Sequence, residues 1–462
     1  MSDHAPTPAK AKDMTAAVTR RTLIAGAALS PMATATARAG APRAKTRLAP
    51  TPPMGWNSWN SFATTITEAE ALETATIMRD RLLPAGYSIF TIDIQWYEPG
   101  ATGYAYRSDA VPVLDGYGRL QPDPKRFPSA ADGRGFRAIA DRVHAMGLQF
   151  GIHLMRGIPR EAVRRNLPIL GTRYHAQDIA DRTSICSWNG DMYGVDMRHP
   201  AGQAYYDSVF AQYADWGVDL VKMDDMSRPY DAHAPEIEAA SKAIARSGRP
   251  ILLSLSPGET PLASADHVRA HAQMWRISDD FWDEWPLLDA QFVRLENWQR
   301  FAGPGRWPDA DMLPLGRLAL GQRDTKFTPA EQRTVMTLWS IARSPLIMGG
   351  DLRHLDAATL ALLINPEVIA VNQASSGNRP VHVQDGMRAW TARSPGGSTY
   401  LALFNPGSKP ARPGVDLRWL NLRGPVRVRD LWARRDVGTV TDRIEAEVPV
   451  HGAALLRLDG AA

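Results

Sequence analysis

Leu220-Val221-Lys222-Met223-Asp224-Asp225 reads as a short buried strand that finishes on charge. Carboxylates at the end of a buried strand are costly unless a polar pocket receives them. Similar endings recur at Trp59-Asn60, Asp93-Ile94-Gln95-Trp96, Asp279-Asp280 and Asp309-Ala310-Asp311. Outward from 220–225, strand-like apolar runs occupy 54–59, 87–96, 149–155, 251–256, 274–280, 306–313 and 345–352. Between them, 68–83, 135–146, 203–216, 235–247 and 329–342 place apolar residues at i, i+3, i+4 and i+7, the helical period. Eight strand-then-helix units suit a (β/α)8 TIM barrel or a doubly wound open sheet. The polar endings decide for the barrel, where all strand C-termini converge on one face and build the site there.

After Asn372-Gln373 the texture changes. Short alternating runs at 381–383, 387–392, 399–404, 426–430 and 454–458 are separated by Gly, Pro and Asn, with no helical period between them. They predict an antiparallel β domain of sandwich type over 375–462, behind a barrel over 46–374. At the other end, Thr19-Arg20-Arg21-Thr22-Leu23-Ile24 opens an apolar stretch that leads to Ala37-Arg38-Ala39. Paired arginines, an apolar segment and small residues predict a twin-arginine signal over 1–39, hence an exported, periplasmic or extracellular protein. That segment carries +3 of the formal net charge of +4, so the remainder is near neutral and calls for no anionic partner.

Of 462 residues, 44% are hydrophobic and 22% charged, an ordinary globular composition. One cysteine, Cys186, excludes an internal disulfide framework and a cysteine-based zinc site. No 18-residue apolar run follows the N-terminal segment, so no membrane span is expected. Basic residues do not interleave with aromatics, which argues against nucleic acid. The eleven histidines suggest no ligand spacing, and no catalytic metal or cofactor is expected. Gly133-Arg134-Gly135 looks like part of a dinucleotide loop, but Phe127-Pro128-Ser129 stands where a strand is required.

The chemistry points to a sugar. Fourteen tryptophans accompany the strand-end carboxylates, and an indole face stacks on pyranose C–H surfaces. Trp59 and Trp96 each sit at a strand end and are candidates for core or site alike. Lys222 and Asp224, two apart on one strand, project to the same side. The ammonium would hold Asp224 ionised, as a carboxylate nucleophile requires, unless the two form only a structural ion pair. Asp280, beside Asp279 and four residues after Arg276, would keep a proton as general acid if apolar walls and like charge surround it. Two carboxyls about 5–5.5 Å apart define retaining glycoside hydrolysis.

At these residues the chain resembles glycoside hydrolase family 27, the retaining α-galactosidases and α-N-acetylgalactosaminidases, or melibiases. The resemblance rests on Thr51-Pro52-Pro53-Met54-Gly55-Trp56-Asn57-Ser58-Trp59, Trp216 through Asp224, and Trp275-Arg276 followed by Asp280. Gly303-Pro304-Gly305, Asp309-Ala310-Asp311-Met312-Leu313 and Val368-Ile369-Ala370-Val371-Asn372-Gln373 continue it. It implies Asp224 as nucleophile, Asp280 as acid/base, and sugar contacts at Trp59, Asp93, Lys222, Arg276 and Asp311. It also implies an α-linked oligosaccharide substrate and double displacement without a cofactor; oligomeric state is left open. Gln95, His153 and Ser256 join the candidate contacts at positions that depart from the family. The family's two adjacent aspartates after the second strand become Asp93-Ile94, with Gln95 nearby. His153 replaces its tyrosine, Ser256 a glutamate, and Thr260 a second tyrosine. One lost carboxylate partner shifts sugar preference by about 1–3 kcal/mol. The expectation is an α-galactosidase, with α-N-acetylgalactosaminyl, α-glucosyl or β-L-arabinopyranosyl substrates, or non-catalytic sugar binding, as alternatives.

Overall fold

Each of the eight apolar runs contains a strand in the computed structural model, which describes residues 48–461 apart from 108, 384 and 385. The expected export signal, 1–39, lies outside the described residues. The strands are β1 (Met54–Asn57), β2 (Ile89–Ile92), β3 (Gln149–Met155), β4 (Leu220–Asp224), β5 (Leu252–Leu255), β6 (Met274–Arg276), β7 (Trp307–Asp309) and β8 (Leu346–Met348). All pair in parallel in the order β7-β6-β5-β4-β3-β2-β1-β8.

Closure between β7 and β8 is made by one residue. Leu313 N donates to Ile347 O at 2.7 Å, and Leu313 O accepts from Gly349 N at 3.0 Å. Asp311 adopts a left-handed φ of 83°, which turns the chain out of strand geometry. The run 306–313 is therefore strand only over Trp307–Asp309.

Other runs are also trimmed, at Asn57, Ile92 and Arg276, and the trimmed parts include the polar Ser58, Asp93, Gln95, Asp279 and Asp280. Asn57 Oδ1 accepts from Trp59 N at 2.9 Å, and Asp93 Oδ1 accepts from Ile94 N at 2.9 Å. Side chains that bond nearby backbone compete with the sheet ladder. At these three strands the polar residues read as strand ends lie beyond the strand, whereas Asp224 and Asp309 are the last residues of β4 and β7.

Around the sheet run α1 (Glu68–Arg81), α2 (Arg137–Ala145), α3 (Pro200–Trp216), α4 (Tyr230–Ser247), α5 (Ala265–His271), α6 (Trp285–Trp298) and α7 (Pro329–Ala342). Reciprocal capping boxes, Thr67 with Glu70 and Thr328 with Glu331, start α1 and α7. Helix α4 begins five residues before Pro235, where the sequence reading started it. The backbone bond that Pro235 cannot make belongs to Asp231 O, in the exposed first turn of the helix. Gly135, at φ 56°, explains the false phosphate-loop signal: a Cβ there would lie 2.0 Å from the Trp216 ring. Trp216 and Phe136 pack edge-on against Trp96, which is wholly buried. Trp96 is thus core.

The C-terminal strands are β9 (Ser376–Val381), β10 (Arg388–Arg393), β11 (Thr399–Phe404), β12 (Gly414–Asp416), β13 (Arg423–Asp430), β14 (Arg435–Val440), β15 (Arg443–Glu445) and β16 (Ala453–Ala461). Six form an antiparallel sheet in the order β9-β10-β11-β16-β13-β14, while β12 pairs with β15. Leu401, Leu403, Val428 and Leu458 of the large sheet pack with Val415 and Ile444 of the small one, making the sandwich core. Strand β14 escaped the sequence reading because it is exposed along nearly its whole length and shows no alternation. Against α7, Thr334 Oγ1 donates to His451 O at 2.6 Å and Trp432 Nε1 to Thr337 Oγ1 at 3.0 Å. Among the described residues no helix is long and apolar enough to cross a membrane.

Candidate active site

Alternation on β4 sends Lys222 and Asp224 to the same side, but they are not each other's hydrogen-bond partners. Lys222 Nζ donates to Asp93 Oδ2 at 2.9 Å, and Asn57 Nδ2 donates to the same oxygen at 2.7 Å. Asp93 is buried; burial pushes its carboxyl up, yet the Lys222 and His153 charges outweigh this and hold it below its ordinary value.

Asp224 is gripped from both neighbouring strands. His153 of β3 bonds Oδ2 through Nε2 at 2.8 Å. Ser256, directly after β5, donates from Oγ to Oδ1. A carboxylate only accepts, so His153 Nε2 carries the proton. Burial raises the Asp224 carboxyl; Lys222, His153 and these two bonds overcome it and leave the group well below the usual carboxylate range. The lysine therefore acts on Asp224 through space while its contact is with Asp93.

Asp280 stands in a different environment from the one expected. Its side chain is 50% exposed, and Arg276 Nη2 donates to its Oδ1 at 3.2 Å. Asp279, expected to press like charge on it, pairs instead with Arg228. Arg276 is buried and also holds Asp311 at 2.8 Å. It supplies opposite charge where apolar walls were expected. Asp311 further accepts Phe281 N at 2.7 Å, tying the segment after Asp280 to the end of β7.

These groups meet at a cavity of about 390 Å³ walled by Trp59, Asp93, Ile94, Lys222, Asp224 and Asp280, with Tyr106, Trp188, Arg228, Pro257 and Asp279. That volume suits a small polar ligand. Of the sequence candidates, Trp59, Asp93, Lys222, Asp224 and Asp280 stand in this wall. His153, Ser256 and Arg276 stand behind it and hold the wall residues Asp224 and Asp280, while Asp311 holds Arg276. Gln95 is buried and turns to Asp191, donating to Oδ2 at 3.1 Å, where Tyr97 Oη also donates at 2.7 Å.

Sequence reasoning missed Tyr106 and Trp188. Both come from loops without periodicity, and they continue the Trp59 surface. Trp59 and Tyr106 stack at 6.1 Å with 5° between planes, and Tyr106 meets Trp188 at 5.4 Å. The available signal was chemical: Trp188 lies in a polar, turn-rich loop and is 37% exposed. Burial, then the Asp224, Asp93 and Asp280 charges, push the Tyr106 phenol far up, so it remains a hydrogen-bond donor.

Behind the nucleophile candidate lies a buried ionic network. Arg156 donates to Asp225 Oδ2 at 2.7 Å and to Glu236 Oε1 at 2.7 Å, while Tyr206 Oη donates to Glu236 Oε2 at 2.5 Å. Asp225, at a left-handed φ of 63°, is thereby pinned immediately after Asp224. Replacing Arg156 with Met leaves two buried carboxylates uncompensated, so urea unfolding is expected to show a loss of about 3–5 kcal/mol. Cys186 is buried, and burial followed by the Asp225 charge pushes its thiol up to about 12.

A larger cleft, about 520 Å³, opens beside Trp432 and Arg333. Its acids are already engaged: Asp356 caps the Ala357–Leu363 helix and Asp324 pairs with Arg317. The expectation that no histidines share ligand spacing fails at α5, where His267 and His271 lie one helical turn apart, outside both cavities.

A family model described as Alpha galactosidase A matches residues 51–199 and 171–374, and one described as Alpha galactosidase C-terminal beta sandwich domain matches 384–458. Alpha-galactosidase 3 of Arabidopsis thaliana is 30% identical over 419 residues, covering 87% of this chain and 80% of that protein. The Alpha-galactosidase of Coffea arabica is 31% identical over 410 residues, covering 87% and 92%. Among solved structures, a GH27 β-L-arabinopyranosidase from Geobacillus stearothermophilus matches with a TM-score of 0.88 and 49% identity, covering 90% of this chain and 97% of that one.

Proposed function

Given that the chain belongs to glycoside hydrolase family 27, we propose that it releases terminal β-L-arabinopyranosyl residues with retention of configuration and cleaves α-D-galactosides more slowly. The two sugars share their configuration from C1 to C4 and differ at C5, where only galactose carries a hydroxymethyl group. Ile94 is the observation that carries the choice. It is buried in the cavity wall directly after Asp93, where the family's second aspartate takes a sugar hydroxyl. An apolar side chain there leaves the hydroxymethyl oxygen without that partner, whereas a pentopyranoside has no such group to desolvate. The likeness to an arabinopyranosidase at 49% identity supports the same reading.

In the proposed cycle, Asp224 attacks the anomeric carbon while Asp280 protonates the leaving oxygen. Asp280 then takes a proton from water as that water cleaves the glycosyl-enzyme ester. Ser256, which would suit a 2-acetamido sugar by its small size, has its hydroxyl engaged by Asp224. Export in the folded state belongs to the same proposal and rests on Arg20-Arg21 and the apolar stretch after them.

The test compares kcat/KM for nitrophenyl β-L-arabinopyranoside and nitrophenyl α-D-galactopyranoside. At least ~10-fold preference for the pentoside is expected; equal or better galactoside turnover overturns the assignment. Ile94→Asp restores a hydroxyl partner and is expected to move the ratio toward the galactoside by about 10- to 100-fold.

A further inference from the structure

Away from the cavity, two helices on the outside of the barrel bring three metal-ligating side chains together. Glu238 comes from α4, and His267 and His271 come from α5; one ligand atom of each lies within 4.8 Å of the others. We propose that Glu238, His267 and His271 form a binding site for a zinc-class divalent transition ion that clamps α4 to α5.

The geometry supports a site built from the helices themselves. Residues four apart on a helix share one face, so both imidazoles of α5 point the same way, and their ring centroids are 4.6 Å apart. His267 Nε2 lies 3.5 Å from Glu238 Oε1. Two ligands of a tetrahedral ion with bonds of about 2.1 Å are about 3.4 Å apart, so this pair already has the required spacing. The same Nε2 is buried and has no hydrogen-bond partner.

The outer contacts suit the role. Tyr230 Oη lies 2.9 Å from His267 Nδ1. With that nitrogen donating to the phenol, the lone pair of Nε2 is left facing Glu238. Lys242 donates to Glu238 Oε2 at 2.9 Å, which leaves Oε1 for the ion. Two imidazoles and one carboxylate, with a fourth position open to water, favour zinc-class ions over calcium or magnesium, which take oxygen ligands. Lys242 is the opposing feature, since its charge repels a cation.

The experiment is calorimetric titration of the chelator-stripped full chain with Zn2+ alone, with melting followed in parallel. One equivalent should bind and raise Tm. His271→Ala should weaken binding by at least ~10-fold, and His267→Ala/His271→Ala should abolish it, with glycosidase activity retained as proof of folding. Lys242→Gln should tighten binding, a gain that damage to the fold cannot imitate. Binding undiminished in the double variant, no saturable binding by the parent chain, or weaker binding by Lys242→Gln would each overturn the proposal.

Discussion

Asp224→Ala is expected to lower kcat/KM by at least ~10⁴-fold on every glycoside the enzyme accepts, whatever the leaving group. The position combines three properties that no other carboxylate in the cavity wall shares. It ends a barrel strand, it is buried, and its charge is stabilised by Lys222, His153 and Ser256. In the proposed cycle the substitution removes the atom that forms the covalent bond, so a better leaving group should not compensate. Azide supplied to the alanine variant should restore turnover and give a glycosyl azide of inverted configuration. A variant within tenfold of the parent would dismiss Asp224 as nucleophile.

The same carboxyl makes stability depend on pH with a definite sign. Its proton affinity is lower in the folded chain than in the unfolded one, so it contributes stability above its unfolded value of about 3.9 and loses that contribution as pH falls toward the folded value. Asp224→Asn lacks this contribution, so the Tm gap between parent and variant should narrow as the buffer is taken from neutral toward pH 3.

Asp280→Ala should separate the two half-reactions. General acid catalysis contributes about 10²- to 10⁴-fold, and a leaving group that departs unprotonated does not need it. Alkyl glycosides should therefore lose that factor in kcat/KM, while dinitrophenyl glycosides keep most of theirs. With no base to activate water, the glycosyl-enzyme then accumulates: a burst appears, KM falls, and azide accelerates turnover. Equal losses on good and poor leaving groups would remove Asp280 from the acid/base role.

Much of this site was legible in the chain because it depends on short-range pattern. The strand character of 220–225, the charge at its end, and the pairing of Trp275-Arg276 with Asp280 are each contained within a few residues. Lys222 does hold Asp224 ionised through space, and what the spacing could not show was its direct neighbour. Lys222 meets Asp93, 129 positions away, because β4 and β2 flank β3 in the barrel; sequence spacing favoured Asp224. Gln95 and Trp96 follow Asp93 in the chain, yet one turns to Asp191 and the other to the core. Loop geometry, which periodicity does not encode, makes that choice.

The sequence by itself determined eight strands, their polar endings and the candidacy of Asp224 and Asp280, since alternation and the cost of buried charge act along the chain. Only the tertiary structure decided who holds Asp224, that Asp280 is paired with Arg276, and that Tyr106 and Trp188 extend the Trp59 wall. It also decided that His267 and His271 face Glu238. Those facts depend on which strands and helices become neighbours, and packing across the barrel sets that pairing from residues tens to hundreds of positions apart.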